Sequence, residues 1–175
     1  QNRLSSLRIW SAACSTGQEP YSLAMVLKEE MPKYPGLNFS ILATDLAGKV
    51  LDRAKEGIYS QFEVQRGLPI QMLMKYFAQQ PGNMWKINDV LKPFIKFQSG
   101  NLLESFTSFG KFDIIFCRNV LIYFDEKTKG DVLDRLAAQM GPPGFLFLGG
   151  AESTFGLTKK FEADKDQRGL FRLVP

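Results

Sequence analysis

Four short segments of the chain carry side chains that could bind a small ligand: Ala13–Glu19, Asp45, Asn101–Leu102 and Arg118–Tyr123. Each segment lies at the end of a predicted strand, where an apolar run gives way to polar residues. In open α/β sheets, ligands bind at the carboxyl ends of the strands. We therefore expect the four segments to meet at one edge of a sheet and to form a single site.

The first segment, ACSTGQE, is a turn of small residues that would let a ligand approach the backbone closely. It matches neither the GxGxxG pattern nor a P-loop, because Gly17 is its only glycine and no Gly-Lys-Ser/Thr follows. A pyrophosphate site is therefore not expected. Glu19 would favour a ligand with a positive group, such as an amine or a sulfonium. The segment is equally compatible with a plain strand-to-helix turn in which Glu19 complements the helix dipole.

The other segments also allow two interpretations each. An acidic residue in the place of Asp45 commonly accepts hydrogen bonds from ribose hydroxyls, but Asp is also a favoured N-cap for a following helix. Asn119, followed by apolar residues, could meet one face of an adenine or hold a substrate. Val120–Phe124 could instead be core packing. The residues alone leave these alternatives open.

The composition excludes several other chemistries. The chain has 175 residues and no histidine, so a His-based triad, a Cys–His dyad and a His metal ligand cannot exist in it. Cys14 and Cys117 are too few for a zinc cluster and too far apart for a CxxC motif, and we predict free thiols in a reducing cytosol. No metal site is predicted. A net charge of +4 is too modest to indicate nucleic-acid binding by itself.

Alternating strands and helices are predicted to position the four segments. The predicted strands are Leu7–Ala13, Leu37–Thr44, Phe112–Cys117, Phe145–Gly149 and, at a sheet edge, Leu170–Val174. The predicted helices are Tyr21–Glu30, Ala47–Glu56 and Glu126–Met140, the last closed by Gly141–Gly144. This order indicates a parallel α/β sheet covered on both faces, in one domain. Ser60–Gln98 breaks the alternation and is predicted to be an inserted small subdomain.

Five stretches spread over most of the chain are similar to one family. They are LRIWSAACSTGQEPYSLA (Leu7–Ala24), ILATDLAGKVLDRAKEGIY (Ile41–Tyr59), NLL (Asn101–Leu103), FDIIFCRNVLIYFD (Phe112–Asp125) and GGAES (Gly149–Ser153). Together they resemble the bacterial chemotaxis receptor methyltransferases of the CheR type. The combination of the STGQEPYS loop with RNVLIYF makes the resemblance specific.

The resemblance implies a Rossmann-like sheet that binds S-adenosylmethionine, with a small antiparallel insert at Ser60–Gln98. It implies an O-methyltransferase that forms methyl esters on glutamate side chains of chemoreceptors and releases S-adenosylhomocysteine. The implied partner is the cytoplasmic helical bundle of methyl-accepting receptors, and the implied protein is a cytoplasmic monomer without nucleic acid or direct membrane insertion. The implied cofactor-binding residues are Ala13, Glu19, Asp45, Leu46, Asn101, Leu102, Asn119 and Val120. The hypothesised catalytic residues are Arg118 and Tyr123, which would orient the incoming carboxylate.

The chain departs from the family in two places. Members carry a helical domain before the sheet that has no counterpart before Gln1, so the chain is expected to be a fragment. Gln18 stands where an acidic residue is common. The alternative function is a non-catalytic cofactor-binding or docking module of the same fold. A nucleic-acid methyltransferase is disfavoured because no prolines follow Asn119, and a nicotinamide dehydrogenase because the first loop lacks glycines.

Overall fold

The computed structural model describes residues 6–174, and its elements alternate much as the sequence predicts. In chain order the strands are β1 (Ser6–Ala12), β2 (Asn38–Asp45), β3 (Ile58–Ser60), β4 (Phe77–Gln80), β5 (Met84–Ile87), β6 (Ile95–Ser99), β7 (Phe112–Cys117), β8 (Met140–Leu148), β9 (Phe161–Ala163) and β10 (Leu170–Leu173). The helices are α1 (Gln18–Glu30), α2 (Gly48–Glu56), α3 (Gln61–Val64), α4 (Ile70–Tyr76) and α5 (Glu126–Ala138). Short 3-10 turns lie at Met31–Lys33, Asp89–Phe94, Thr107–Phe109 and Leu121–Tyr123.

The central sheet has seven strands in the order β6-β2-β1-β7-β8-β10-β9. The five strands from β6 to β8 are parallel, and β10 and β9 are added antiparallel. The chain runs outward from β1 through β2 to β6 and then crosses to β7 on the other side of β1. The order therefore reverses between β1 and β7, which is the place where ligands bind in such sheets. This Rossmann-like arrangement confirms the predicted fold class.

Apolar side chains of the strands alternate between two cores, one on each face of the sheet. Ile9 points into a core formed with α1 and α2, which contribute Tyr21 and Leu51. Its neighbour Trp10 points into the opposite core, which includes Leu133 of α5. Both strand residues are fully buried. Because successive strand residues face opposite ways, the adjacent apolar residues Ile9 and Trp10 of β1 follow from a sheet that is covered on both sides.

A second, three-stranded antiparallel sheet in the order β3-β5-β4 forms the small subdomain together with α3 and α4. The predicted insert Ser60–Gln98 extends too far, because Ile95–Ser99 is β6 of the central sheet and pairs in parallel with β2. At the other end, β3 begins before the insert, at Ile58. The polar residues within IKFQS suit the edge position of β6, and they make this strand hard to distinguish from the extended segments before it.

Three further predictions differ from the structure. The strand Leu170–Val174, predicted at a sheet edge, is β10 and lies between β8 and β9, so the edge is Phe161–Ala163. The helix predicted to reach Met140 ends at Ala138, and Gly141–Gly144, expected to close it, lies inside β8, where the pairing with β7 shifts register after Met140. The helix predicted to start at Tyr21 starts at Gln18, with Pro20 in its first turn. In residues 6–174, no helix has the length and apolar character needed to cross a membrane.

Candidate functional site

A cavity of about 220 Å³ opens where β1, β2, β6 and β7 end. It is lined by Ala13, Asp45, Leu46, Gly100, Asn101, Leu102, Leu103, Val120 and Phe124. These residues come from four stretches that are distant in the sequence and follow four different strands. The structure therefore brings together Ala13, Asp45, Leu46, Asn101, Leu102 and Val120 of the predicted cofactor residues. Glu19 and Asn119 lie outside the lining of this cavity.

The carboxylate of Asp45 connects the end of β2 to the loop after β1. Its Oδ2 accepts a hydrogen bond from the backbone N–H of Ser15 at 2.8 Å, and its Oδ1 accepts one from that of Ala47 at 3.0 Å. Asp45 is not the N-cap of α2, because that position belongs to Ala47. An ionised carboxylate offers about four acceptor sites. Asp45 thus retains the capacity to accept hydroxyl donors of a ligand.

Glu19 lies in the first turn of α1 and forms a small polar cluster between β1 and β7. Its Oε1 accepts a hydrogen bond from the Ser11 hydroxyl at 2.7 Å, and its Oε2 pairs with Arg118 Nη1 at 3.3 Å. Burial raises the pKa of Glu19 above its ordinary value, and the Ser11 hydrogen bond and the Arg118 charge oppose that rise. The cluster places a carboxylate beside the switch point of the sheet, which is the place between β1 and β7 where the strand order reverses.

The loop before α1 is held by a residue that the sequence did not single out. The Tyr59 hydroxyl donates to the carbonyl oxygen of Thr16 at 2.8 Å. At Gly17, where φ is +92°, an added Cβ would lie 2.9 Å from the Ala54 Cβ and 3.1 Å from the Tyr59 oxygen. Only glycine suits this close packing and this φ. Because Tyr59 belongs to β3, the small subdomain directly supports the loop that reaches the site.

The segment after β7 presents both residues that the sequence proposed as catalytic. Arg118 is half-exposed and directs its guanidinium to Glu19. Tyr123 lies on the 3-10 turn that follows and is 79% exposed, whereas Leu121 of the same turn is buried. Asn119 has a φ of +57°, a left-handed conformation that Asn tolerates better than most residues. Arg118 and Tyr123 are therefore accessible from solvent.

The loop after β6 forms another wall of the cavity. The Asn101 side-chain oxygen accepts a hydrogen bond from the backbone N–H of Leu103 at 3.0 Å, which turns the chain sharply. The guanidinium of Arg135, in α5, donates to the carbonyl oxygen of Leu103 at 3.0 Å. Neither Arg135 nor Tyr59 carries a local sequence signal, because each contacts a loop that is far away along the chain.

The two cysteines are free thiols near the strand ends, and both are buried. Burial, together with the charge of Asp45, raises the pKa of Cys14 to about 12. Burial also raises the pKa of Cys117. A thiol must ionise to act as a nucleophile. Both cysteines therefore serve as small apolar groups at neutral pH.

Comparisons with known proteins agree with this geometry. A family model described as CheR methyltransferase, SAM binding domain, matches residues 1–170. Chemotaxis protein methyltransferase 1 of Vibrio cholerae serotype O1 is 45% identical over 166 residues, which cover 94% of this chain and 60% of that protein. Chemotaxis protein methyltransferase 1 of Pseudomonas aeruginosa is 43% identical over 167 residues, with 94% and 61% covered.

A solved structure shares the fold as well. The structure of PKMT2 from Rickettsia typhi in complex with AdoHcy has a TM-score of 0.51 to this chain, covering 83% of this chain and 21% of that one. At 17% identity, this similarity concerns the fold alone. The chain spans about 60% of the length of the curated relatives described above.

Proposed function

Because this chain belongs to the CheR methyltransferase family, as its SAM-binding domain, we propose that it binds S-adenosylmethionine for the methylation of glutamate side chains on chemoreceptors. The observation that carries the proposal is the cavity in which the segments after β1, β2, β6 and β7 meet. S-Adenosylhomocysteine is the product that remains after transfer. The proposed setting is the cytoplasm, with a monomer as the working unit.

The residues of the cavity fit the adenosine part of this ligand. Leu46, Leu102 and Val120 provide apolar walls suited to the faces of a flat base. Asp45, already fixed by two backbone N–H groups, provides acceptors suited to ribose hydroxyls. We assign Asn101 to the same adenosine end, as the family resemblance implies.

The carboxylate of Glu19 fits the charged end of the ligand. S-Adenosylmethionine carries a positively charged sulfur with an activated methyl group, which it supplies for transfer when bound. Glu19, half-buried at the switch point, provides a negative charge that attracts such a ligand. We assign Ala13, Asn119 and Val120 to the cofactor surface as well.

The acceptor in this proposal is a glutamate carboxylate, whose ordinary pKa of about 4.3 leaves it ionised at pH 7. It is therefore already a nucleophile, and no general base is required from the chain. This agrees with a sequence that contains no histidine. The task of the residues around the cavity is to align the reactants and to exclude water, and alignment can contribute about 7–11 kcal/mol.

Arg118 and Tyr123 are proposed to orient the incoming carboxylate. The Arg118 guanidinium has five N–H donors and uses one nitrogen for Glu19, so that others can meet a second carboxylate. Tyr123 is exposed near the same loop and can donate through its hydroxyl. The proposed partner is the helical bundle of a methyl-accepting chemoreceptor. Its acidic surface would be attracted by a chain of net charge +4.

The proposal is tested in two measurements with this chain. Calorimetry with S-adenosylhomocysteine should show saturable binding that Asp45→Asn weakens and Asp131→Asn, on the exposed side of α5, leaves unchanged. Labelled methyl from S-adenosylmethionine should then appear on a receptor cytoplasmic fragment as a base-labile ester. Replacing the receptor's accepting glutamates by glutamine should abolish the label. Absence of binding, or label that persists on that fragment, would refute the proposal.

A further inference from the structure

The carboxylate of Glu152, just beyond β8, accepts hydrogen bonds from backbone N–H groups of two separate segments. Its Oε2 accepts from Asn119 at 2.8 Å and from Gly149 at 2.6 Å. Its Oε1 accepts from Val120 at 2.9 Å and from Leu121 at 2.8 Å. One side chain therefore satisfies successive N–H groups after β7 and one at the end of β8.

This arrangement determines the path of the chain after β7. Successive backbone N–H groups that converge on one point form a binding place for an anion, and here the anion is a side chain of the same protein. The left-handed φ of +57° at Asn119 is what turns these groups towards the carboxylate. The N–H groups of Val120 and Leu121 are partly buried, and an N–H group shielded from water is costly to leave without an acceptor. We therefore expect the path of this segment to depend on Glu152.

The approach between the two segments leaves no room for a larger residue at position 149. A Cβ added to Gly149 would lie 2.7 Å from Glu152 Oε2 and would also meet the Asn119 side-chain oxygen. Such contacts are too short for a real Cβ atom, so the side chain of Asn119 or Glu152 would have to move. Gly149 and Glu152, both within the GGAES stretch, are thus two parts of one local arrangement.

The segment that Glu152 holds forms part of the candidate site. Val120 lines the cavity at the strand ends. Arg118, just before this segment, pairs with Glu19. Glu152 itself is not among the residues that line the cavity. Glu152 reaches this cavity through the backbone of Asn119–Leu121, whose N–H groups it accepts.

We propose that Glu152 is a positioning residue, which places Asn119–Leu121 against the cofactor and thereby sets the cofactor affinity. This inference rests on the proposed function, since it concerns the same cavity. The test is Glu152→Gln, in which one carboxylate oxygen becomes an NH₂ group that cannot accept. Glu162→Gln, on the exposed edge strand β9, is the matched control.

Two measurements on the whole chain are compared for each variant. Amide hydrogen exchange without ligand reports the local hydrogen bonds, and calorimetry with S-adenosylhomocysteine reports the cofactor site. For Glu152→Gln we expect faster exchange at Asn119–Leu121 and Gly149, with unchanged exchange in β1. The Kd should rise at least about tenfold, which corresponds to about 1.4 kcal/mol. Glu162→Gln should match the wild type in both measurements.

Each other outcome would overturn the inference. Faster local exchange with an unchanged Kd would mean that the segment does not govern the cofactor. Acceleration of exchange throughout the sheet would indicate a merely structural role. If Glu152→Gln does not fold, Gly149→Ala tests the same arrangement from the other segment and should raise the Kd to a similar extent; an unchanged Kd would refute the inference. A wild-type chain without S-adenosylhomocysteine binding would refute the proposed function itself, and the inference would fail with it.

Discussion

Replacing Asp45 by asparagine should weaken the binding of S-adenosylhomocysteine by roughly 10- to 150-fold. The carboxylate accepts two backbone N–H groups and is proposed to accept the ribose hydroxyls as well. Asparagine keeps the shape but loses the charge and turns one accepting atom into a donor. Hydrogen bonds to charged groups contribute about 1.5–3 kcal/mol, and the loss of one such interaction gives the stated range.

The assay is isothermal calorimetry at pH 7 with wild type, Asp45→Asn and the control Asp131→Asn. Thermal unfolding of the same samples shows whether the variant remains folded at the temperature of the titration. For a chain of this size, a loss of 1 kcal/mol corresponds to about 2–4 °C in Tm. A shift within a few degrees therefore leaves the protein folded and the comparison of Kd values valid.

The Cys14 thiol offers an independent check of the same variant. The negative charge of Asp45 is one cause of its raised pKa of about 12. Asp45→Asn should lower that pKa, although burial, the larger cause, should keep it above the ordinary value. If the thiol pKa falls while the Kd changes less than twofold, the charge has been removed without consequence for the ligand. That result would refute the assignment of Asp45 to the ribose.

Three further predictions concern the support of the site and the stability of the fold. Tyr59→Phe removes the hydrogen bond to Thr16 and should raise the Kd for S-adenosylhomocysteine by roughly 2- to 12-fold in calorimetry, the range for about 0.5–1.5 kcal/mol. Thr44→Val deprives the fully buried Trp10 Nε1–H of its acceptor at 2.9 Å and should lower the free energy of unfolding in urea by about 1–3 kcal/mol. Because burial raises the pKa of Glu19, the folded chain holds this proton more tightly than the unfolded chain. The free energy of unfolding should therefore fall as pH rises above the ordinary pKa of a glutamate, and Glu19→Gln should remove that contribution.

Exposed residues of the same types provide the controls. Tyr34→Phe and Thr107→Val should leave the Kd and the unfolding free energy within experimental error of wild type. An equal effect of Tyr59→Phe and Tyr34→Phe would contradict the role of the Tyr59 hydroxyl. The Trp10 argument fails if Thr44→Val unfolds like the wild type. A Glu19→Gln variant whose stability follows the same pH dependence as wild type would show that Glu19 is not the source of it.

The predictions from sequence were most accurate where local patterns are sufficient. The strand Phe112–Cys117 has the bounds expected from its apolar run, and α2 ends at Glu56, as predicted. The meeting of Asp45, Asn101 and Val120 at one cavity followed from a single physical rule, because parallel strands present their carboxyl ends at the same edge.

The predictions failed where a strand or side chain depends on distant partners. Polar residues in Ile95–Ser99 made this edge strand look like part of the insert, and only its pairing with β2 places it in the central sheet. No local pattern in Leu170–Leu173 indicates that β9 pairs with its outer side and becomes the edge of the sheet. Strand order is a property of pairing between remote segments, so a local pattern cannot specify it.

By itself, the sequence determined the fold class, the family resemblance and the segments that form the candidate site, since these depend on residue type and spacing. Only the tertiary structure revealed how the segments are held. Tyr59 supports the loop before α1, and Glu152 accepts the N–H groups after β7. These hydrogen bonds join side chains to backbone groups 43 and 32 residues away in the chain. Each forms because the fold brings two remote segments side by side: β3 of the small subdomain lies against the loop before α1, and the segment after β8 lies against the segment after β7.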